Sequence, residues 1–319
     1  MAVAAQTISA STLSQKLSPG AGAIIGLVGV DSLETFPLGT GVTADTPMEA
    51  GSLTKLFTGL LTAEAALGGQ LALSTRLDEL LFEEQWPGEP ITVEHLATHT
   101  SGLPRLSISP LDIVLHRQDP YRSYGRKELL AWLRSHEPVV QNPVFAYSNF
   151  GYAVLGAMLE RATGQSYEHL LQTRILDPLR MSASGLHLTG RPDRTACGRR
   201  ADGSSTSVWH FDAYAPCGAL VTTLTDLATA AQAFLDLSYP LAQALAFALE
   251  PRAEMPGHNV GLAWLTSKDA RWSWHNGATF GYTSYLGLNR ASSSPVVILS
   301  NQFLAADATA LGHQLMRLT

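Results

Sequence analysis

"GSLTKLFTGLLTAEAALGG", residues 51–69, sets a hydroxyl and an amine three positions apart where an apolar, helix-forming run begins. Residues i and i+3 share one face of a helix, so Ser52 and Lys55 can touch. The N-terminal end of a helix is the positive end of its dipole and favours negative charge developing on an oxygen there. A serine beside a base is the starting point of nucleophilic catalysis. The same residues also have a plainer reading, since serine is a preferred N-cap and a lysine one turn later is ordinarily solvated. The helix is expected to start at Ser52 and stop at Gly68–Gly69. The pairing is unique within the chain: Lys16, Lys127 and Lys268 follow Leu13, Tyr124 and Leu265 at the same distance.

Upstream, "GAIIGLVGV" (22–30) and "TFPLG" are joined by the polar "DSLE" and read as a strand hairpin. Downstream, helical segments are expected at 92–98, 126–136, 149–163 and 166–176, with Pro- and Gly-rich loops between them. A further amphipathic helix is expected behind a Thr cap at 223–235. After residue 258, "VGLAWLTS", "RWSWHNG", "GYTSYLGLN" and "PVVILSN" are short β-rich runs, and a last helical stretch covers about 306–318. Strands at both ends with helices between them give an α/β fold whose one sheet draws on both termini. The expected division is an α/β sandwich of 1–75 and 206–319 interrupted by a helical domain, 76–205. "GRRADGSSTS" at 198–207 reads as a loop or mobile flap.

The bulk properties narrow the function. The chain has 319 residues, 45% hydrophobic and 15% charged, with a net charge of −6, a globular composition rich in core formers. No basic stripe suggests a nucleic-acid partner. The apolar run "AGAIIGLVGV" is about half the length of a bilayer span. The start, "MAVAAQTISASTLSQKL", lacks the basic and continuous apolar regions of a secretory signal. A cytoplasmic location is therefore expected, with a periplasmic or secreted one if an exported form has been trimmed. Cys197 and Cys217 set no disulfide framework, and a reduced pair is expected.

Two further stretches bear on GSLTK: "YSNFGY" (147–152), just before a helix with an apolar face, and "HNGATFGY" (275–282), between strand-like runs. With "LATHTSGLP", "ILDPLRM" and "GALVTTLTDLA" they follow one another in an order that resembles the class C β-lactamase family in its broad sense. That superfamily includes penicillin-binding-protein-like esterases, D-peptidases and acyltransferases. The resemblance covers about residues 20–305. It implies a β-lactamase/transpeptidase-like fold, with an antiparallel sheet flanked by helices, an inserted helical domain and a site between the two. It implies Ser52 as the acylated nucleophile, Lys55 as the amine of S-x-x-K, and Tyr147 and Asn149 as the Y-x-N motif, Asn149 touching substrate. His275 and Gly277 would fill the third motif, more often K-T-G, in a form similar to family esterases and aminopeptidases. The backbone N–H groups of Ser52 and Ala278 would form the oxyanion hole.

The chemistry agrees. A serine hydroxyl needs a neighbouring base; an unperturbed phenol titrates near pH 10, and a close cation favours its ionised form. Either Lys55 or Tyr147 can then be the base, and sequence leaves both open. A glycine at 277 lets the strand approach a scissile carbonyl closely. A neutral His275 at pH 7 favours ester, amide or D-peptide cleavage over carboxylated penicillins. Ser101 is expected to shape the cleft wall only.

Other patterns lead nowhere. His95 and His99 have zinc-compatible spacing in "HLATH" but lack the Glu of H-E-x-x-H and a third ligand. "GTGVTA" (39–44) is not followed by a βαβ unit, and neither G-x-S-x-G nor a P-loop occurs. No metal or cofactor is expected. The reading is a serine hydrolase acting through an acyl-enzyme on a small ester, amide or peptide. Its rivals are a biosynthetic acyltransferase or cyclase and a non-catalytic β-lactam- or peptide-binding module. Specificity is expected to lie in loops 100–125 and 198–216, and the oligomeric state is open.

Overall fold

Strands at both chain ends are buried along nearly their whole length, as in GAIIGLV and VVILS, and each can bury two faces only by joining a sheet covered on both sides. The computed structural model describes residues 13–115, 119–122, 124–140, 143–186 and 195–319. Its main sheet has eight antiparallel strands, in the order Leu33–Gly39, Gly22–Val28, Val296–Ser300, Thr283–Asn289, Trp272–Ala278, Leu265–Ser267, His258–Val260 and Ala253–Met255. The two ends of the chain meet where Ile25 pairs with Ile298. The outermost strand, Leu33–Gly39, is largely exposed and carries Glu34 and Pro37, a charge and a missing donor that discourage edge-to-edge pairing.

The two faces separate by residue parity. Ala23, Ile25, Trp274, Tyr285, Val296 and Ile298 pack against Leu311, Leu315 and Met316 of the closing helix Ala305–Leu318. Ile24, Leu286, Leu288, Val297 and Leu299 face the larger core, which runs on through the helical part of the chain. At its centre lies helix Thr54–Leu67, buried on nearly every side, as a helix apolar all round must be. It packs against Ala242–Leu249 and against Asn149–Thr163.

Most expected helices recur: Val93–Ala97, Arg126–His136, Asn149–Thr163, Leu224–Ala233 and the closing helix. The 166–176 stretch divides into Tyr167–Leu171 and a π-helical turn, Gln172–Leu176. Three differences stand out. The α-helix expected at Ser52 starts at Thr54, behind a 3₁₀ turn Gly51–Leu53, because Gly51 has φ +51°, outside the α region. The 198–207 stretch is a hairpin of Gly198–Arg199 and Ser205–Thr206, pinned by Arg199 N–H donating to the carbonyls of Gly281 and Asn301. Strand Ala253–Met255 precedes the expected change of character at 258. Residues 1–12 of the first expected segment, and 116–118 and 123 of the expected cleft wall, lie outside the described residues. Among the described residues, no helix is long and apolar enough to cross a membrane.

Candidate active site

The turn carrying Ser52 is fixed from several sides. Thr54 Oγ1 donates to Gly51 O at 2.7 Å and accepts from Leu220 N at 3.0 Å. Ser284 Oγ donates to Ala50 O at 2.6 Å, and Ala50 N donates to Leu220 O. A Cβ at Gly51 would lie 2.8 Å from Ala278 N, so glycine is needed there for space as well as for φ. Ser52 caps neither helix, which leaves its hydroxyl for the partners described next.

Lys55 is fully buried, with 0% exposure, which excludes the solvated reading. Its Nζ donates to Ser52 Oγ at 3.2 Å, Asn149 Oδ1 at 2.9 Å and Cys217 O at 2.7 Å. The carbonyls of Asn149 and Cys217 can only accept, so they take two N–H bonds; across the third direction a hydroxyl can sit as donor or acceptor. Asn149 is oriented in turn by its Nδ2 donating to Tyr121 OH at 3.2 Å. Tyr147 OH donates to Ser52 Oγ at 2.7 Å, and Lys55 Nζ stands 4.9 Å from the Tyr147 ring centroid. Hydroxyl, amine and phenol thus share one point.

Tyr147 reaches that point because the chain around it is clamped. Ser148 Oγ caps helix Asn149–Thr163 by accepting from Gly151 N and itself donates to Pro104 O. Ser148 N donates to His99 Nδ1, and Ala146 N to His99 O. The His99 ring lies 4.5 Å from that of Tyr147. Burial holds its imidazole well below the usual range, so the ring serves as a neutral support. His99 was legible only as half of a zinc-like spacing, and no cluster of three metal-ligating residues occurs among the described residues.

Strand Leu265–Ser267 pairs only with Ser273 and Trp274 of its neighbour, so residues 275–278 extend past it toward the cleft. Gly277 and Ala278 line the cleft beside Ser52. A Cβ at Gly277 would meet Ala50 O at 2.1 Å and Leu53 N at 3.0 Å. The missing side chain therefore admits the Ser52 turn, a different neighbour from the substrate carbonyl expected. His275 is buried, and the strand's contribution to the lining is Asn276, Gly277 and Ala278. Burial, aided by Lys55, lowers the His275 pKa to about 4, and its Nδ1 bonds to Asn276 O.

The cleft holds about 520 Å³, and its lining includes Ser52, Tyr147, Asn149, Arg105, Tyr121 and Trp209. Sequence reasoning missed four contributors: Arg105, Tyr121, Glu49 and the Cys217 carbonyl. Glu49 is buried and joins its strand to two loops, accepting from Trp209 N and from Thr279 Oγ1. Burial pushes its pKa up to about 7. Cys197 and Cys217 are both free thiols. A neutral-or-charged amine, a phenol and a hydroxyl so arranged can move a proton among themselves while the hydroxyl oxygen attacks a carbonyl.

The family model described as Beta-lactamase matches residues 24–319. The chain is 29% identical over 190 residues to the Beta-lactamase of Escherichia coli (strain K12), covering 59% of this chain and 47% of that protein. To Protein flp of Staphylococcus aureus (strain N315) it is 28% identical over 268 residues, 80% of this chain and 53% of the relative. It spans about half the length of these curated relatives. The structure of a D-alanine Carboxypeptidase AmpC from Burkholderia cenocepacia superposes with a TM-score of 0.83 at 20% identity, over 100% of this chain and 99% of that one. A Beta-Lactamase/D-Alanine Carboxypeptidase from Pseudomonas syringae does so with 0.83 at 18%, over 99% and 98%. These likenesses show the expected β-lactamase/transpeptidase-like fold.

Proposed function

The chain belongs to the beta-lactamase family, and from that premise we propose that it is a serine hydrolase working through a Ser52 acyl-enzyme on a small ester, amide or D-peptide. One observation carries the reading: Ser52 Oγ lies 2.7 Å from Tyr147 OH and 3.2 Å from Lys55 Nζ. Ser52 Oγ attacks the substrate carbonyl and its proton passes to the Lys55–Tyr147 pair. The oxyanion is met by the N–H groups of Ser52 and Ala278, an arrangement worth about 3–4 kcal/mol per donor in acyl transfer. Tyr147 then returns the proton to the leaving group as the carbonyl–leaving-group bond breaks. Water repeats the sequence in reverse, adding to the acyl carbon and restoring the Ser52 hydroxyl. The neutral His275, buried outside the cleft lining, offers no third-motif cation to a substrate carboxylate.

The test is intact-mass analysis during turnover of an activated ester. The acyl adduct is expected on the wild type and absent from Ser52→Ala, whose kcat/KM should fall by about 10⁴ or more. Turnover equal in the two proteins would refute the proposal. A chromogenic cephalosporin preferred over short esters by orders of magnitude would refute its substrate class.

A further inference from the structure

Among the described residues lining the cleft, Arg105 is the one that carries a charge. It is exposed, and among the described residues its guanidinium has no hydrogen bond or ion pair. Its backbone is nevertheless fixed, because its carbonyl accepts from the N–H groups of Asn149 and Phe150 at 3.1 and 3.2 Å. The loop carrying Arg105 is therefore tied to the start of the helix that delivers Asn149. The guanidinium carbon lies 5.1 Å from the centroid of the Tyr147 ring, within the range of a cation–π contact. Such a contact orients the planar fork while leaving its N–H donors free. Asp119, which precedes the lining residue Pro120, is already occupied by His210 N at 2.9 Å and Nδ1 at 2.7 Å. The remaining wall is largely apolar, with Leu106, Pro120, Trp209, Phe280 and Phe303.

A chain of net charge −6 thus presents an exposed guanidinium over its phenol, at the mouth of a largely apolar cleft and apart from the buried Lys55. A planar fork of free donors matches a carboxylate, which it can bind bidentately. We propose that Arg105 is a specificity-determining residue that selects substrates carrying a carboxylate on an apolar body. The inference rests on the acyl-enzyme reading above and deepens it. It also moves the anion-recognising charge from the third motif, where His275 supplies none, to the loop after helix Val93–Ala97.

The experiment compares kcat/KM within two ester pairs. In 4-nitrophenyl butyrate against mono-4-nitrophenyl glutarate the anion sits on the acyl group. In phenyl acetate against 4-acetoxybenzoate it sits on the leaving group. Wild type is expected to favour the anionic member of at least one pair, which tells the acyl from the leaving-group side. Arg105→Gln should lower that anionic-to-neutral ratio by about tenfold, the scale of one charge-assisted pair. Arg105→Lys should retain part of it, and Arg105→Glu should invert it. Rising salt should shrink the wild-type ratio and leave that of Arg105→Gln level. Ratios identical in all four proteins, with neutral esters still turned over through Ser52, overturn the Arg105 inference alone. No Ser52-dependent turnover of any ester overturns the hydrolase reading and this inference together.

Discussion

On one side of the sheet, Trp274, Tyr285 and Ile298 meet Leu311, Leu315 and Met316 of the closing helix. On the other side, the same strands bring His275 and Ser284 to ground where Lys55, Thr54 and Thr58 are also fully buried. The first side is held mainly by apolar area, which is non-directional and roughly proportional to what is hidden. The second is held by directed bonds. Lys55 has three oxygen acceptors, Ser284 donates to Ala50 O, and Thr58 Oγ1 donates to Pro216 O at 2.7 Å. A buried polar group without a partner costs about 1–3 kcal/mol, and Lys55, Ser284 and Thr58 each have theirs. The contrast locates the chemistry: hydroxyl, amine and phenol meet within hydrogen-bond reach on one side of the sheet, whereas Tyr285, the phenol buried on the other, has no hydrogen-bond partner among the described residues.

The strongest way to break this contrast is Lys55→Met. It keeps length and burial but removes the amine from Ser52, and turnover should fall by about a thousandfold or more, as for loss of a general base. Near-wild-type rates in a folded variant would separate the buried amine from the chemistry. On the opposite side, Leu315→Ala leaves a cavity under the closing helix, where Leu315 is 2% exposed. Urea unfolding should show a loss of about 2–5 kcal/mol, with kcat/KM below the transition within about twofold of wild type. A rate that falls in step with stability would mean the two sides are not independent.

A finer test uses Glu49, whose pKa is raised from 4.5 to about 7 by burial. An acid that holds its proton more tightly when folded loses stabilisation as pH rises between those values, since the unfolded chain has already released it. At about 1.4 kcal/mol per pH unit, the rise is worth up to about 3 kcal/mol. Glu49→Gln has no proton to lose, so its stability relative to wild type should improve by up to that amount between pH 4.5 and 8. The trend of His275 has the opposite sense, with stability lost as pH falls from 6.5 toward its value of about 4. It is common to both proteins and cancels in the difference. Equal pH dependence of the two by urea unfolding would place the Glu49 carboxylate in a wetter setting than its burial indicates.

The sequence by itself determined the elements and the groups. Short β-rich runs toward both termini suggested one sheet, the apolar run after GSLTK a helix, and the ordered triplet GSLTK, YSN and HNG pointed to hydroxyl, amine and phenol. Tertiary structure alone decided what those groups touch. The Lys55–Asn149 bond spans 94 positions and the Thr279–Glu49 bond spans 230, separations over which local periodicity carries no signal. The carbonyl of Cys217 that accepts a hydrogen bond from Lys55 belongs to the backbone and would be there whatever residue the chain spelled. Arg105 gave no sign of its place because a solitary surface arginine reads alike anywhere; only the folded loop sets it over the Tyr147 ring. Local patterns follow from helix and strand geometry, whereas partners follow from which distant surfaces pack together.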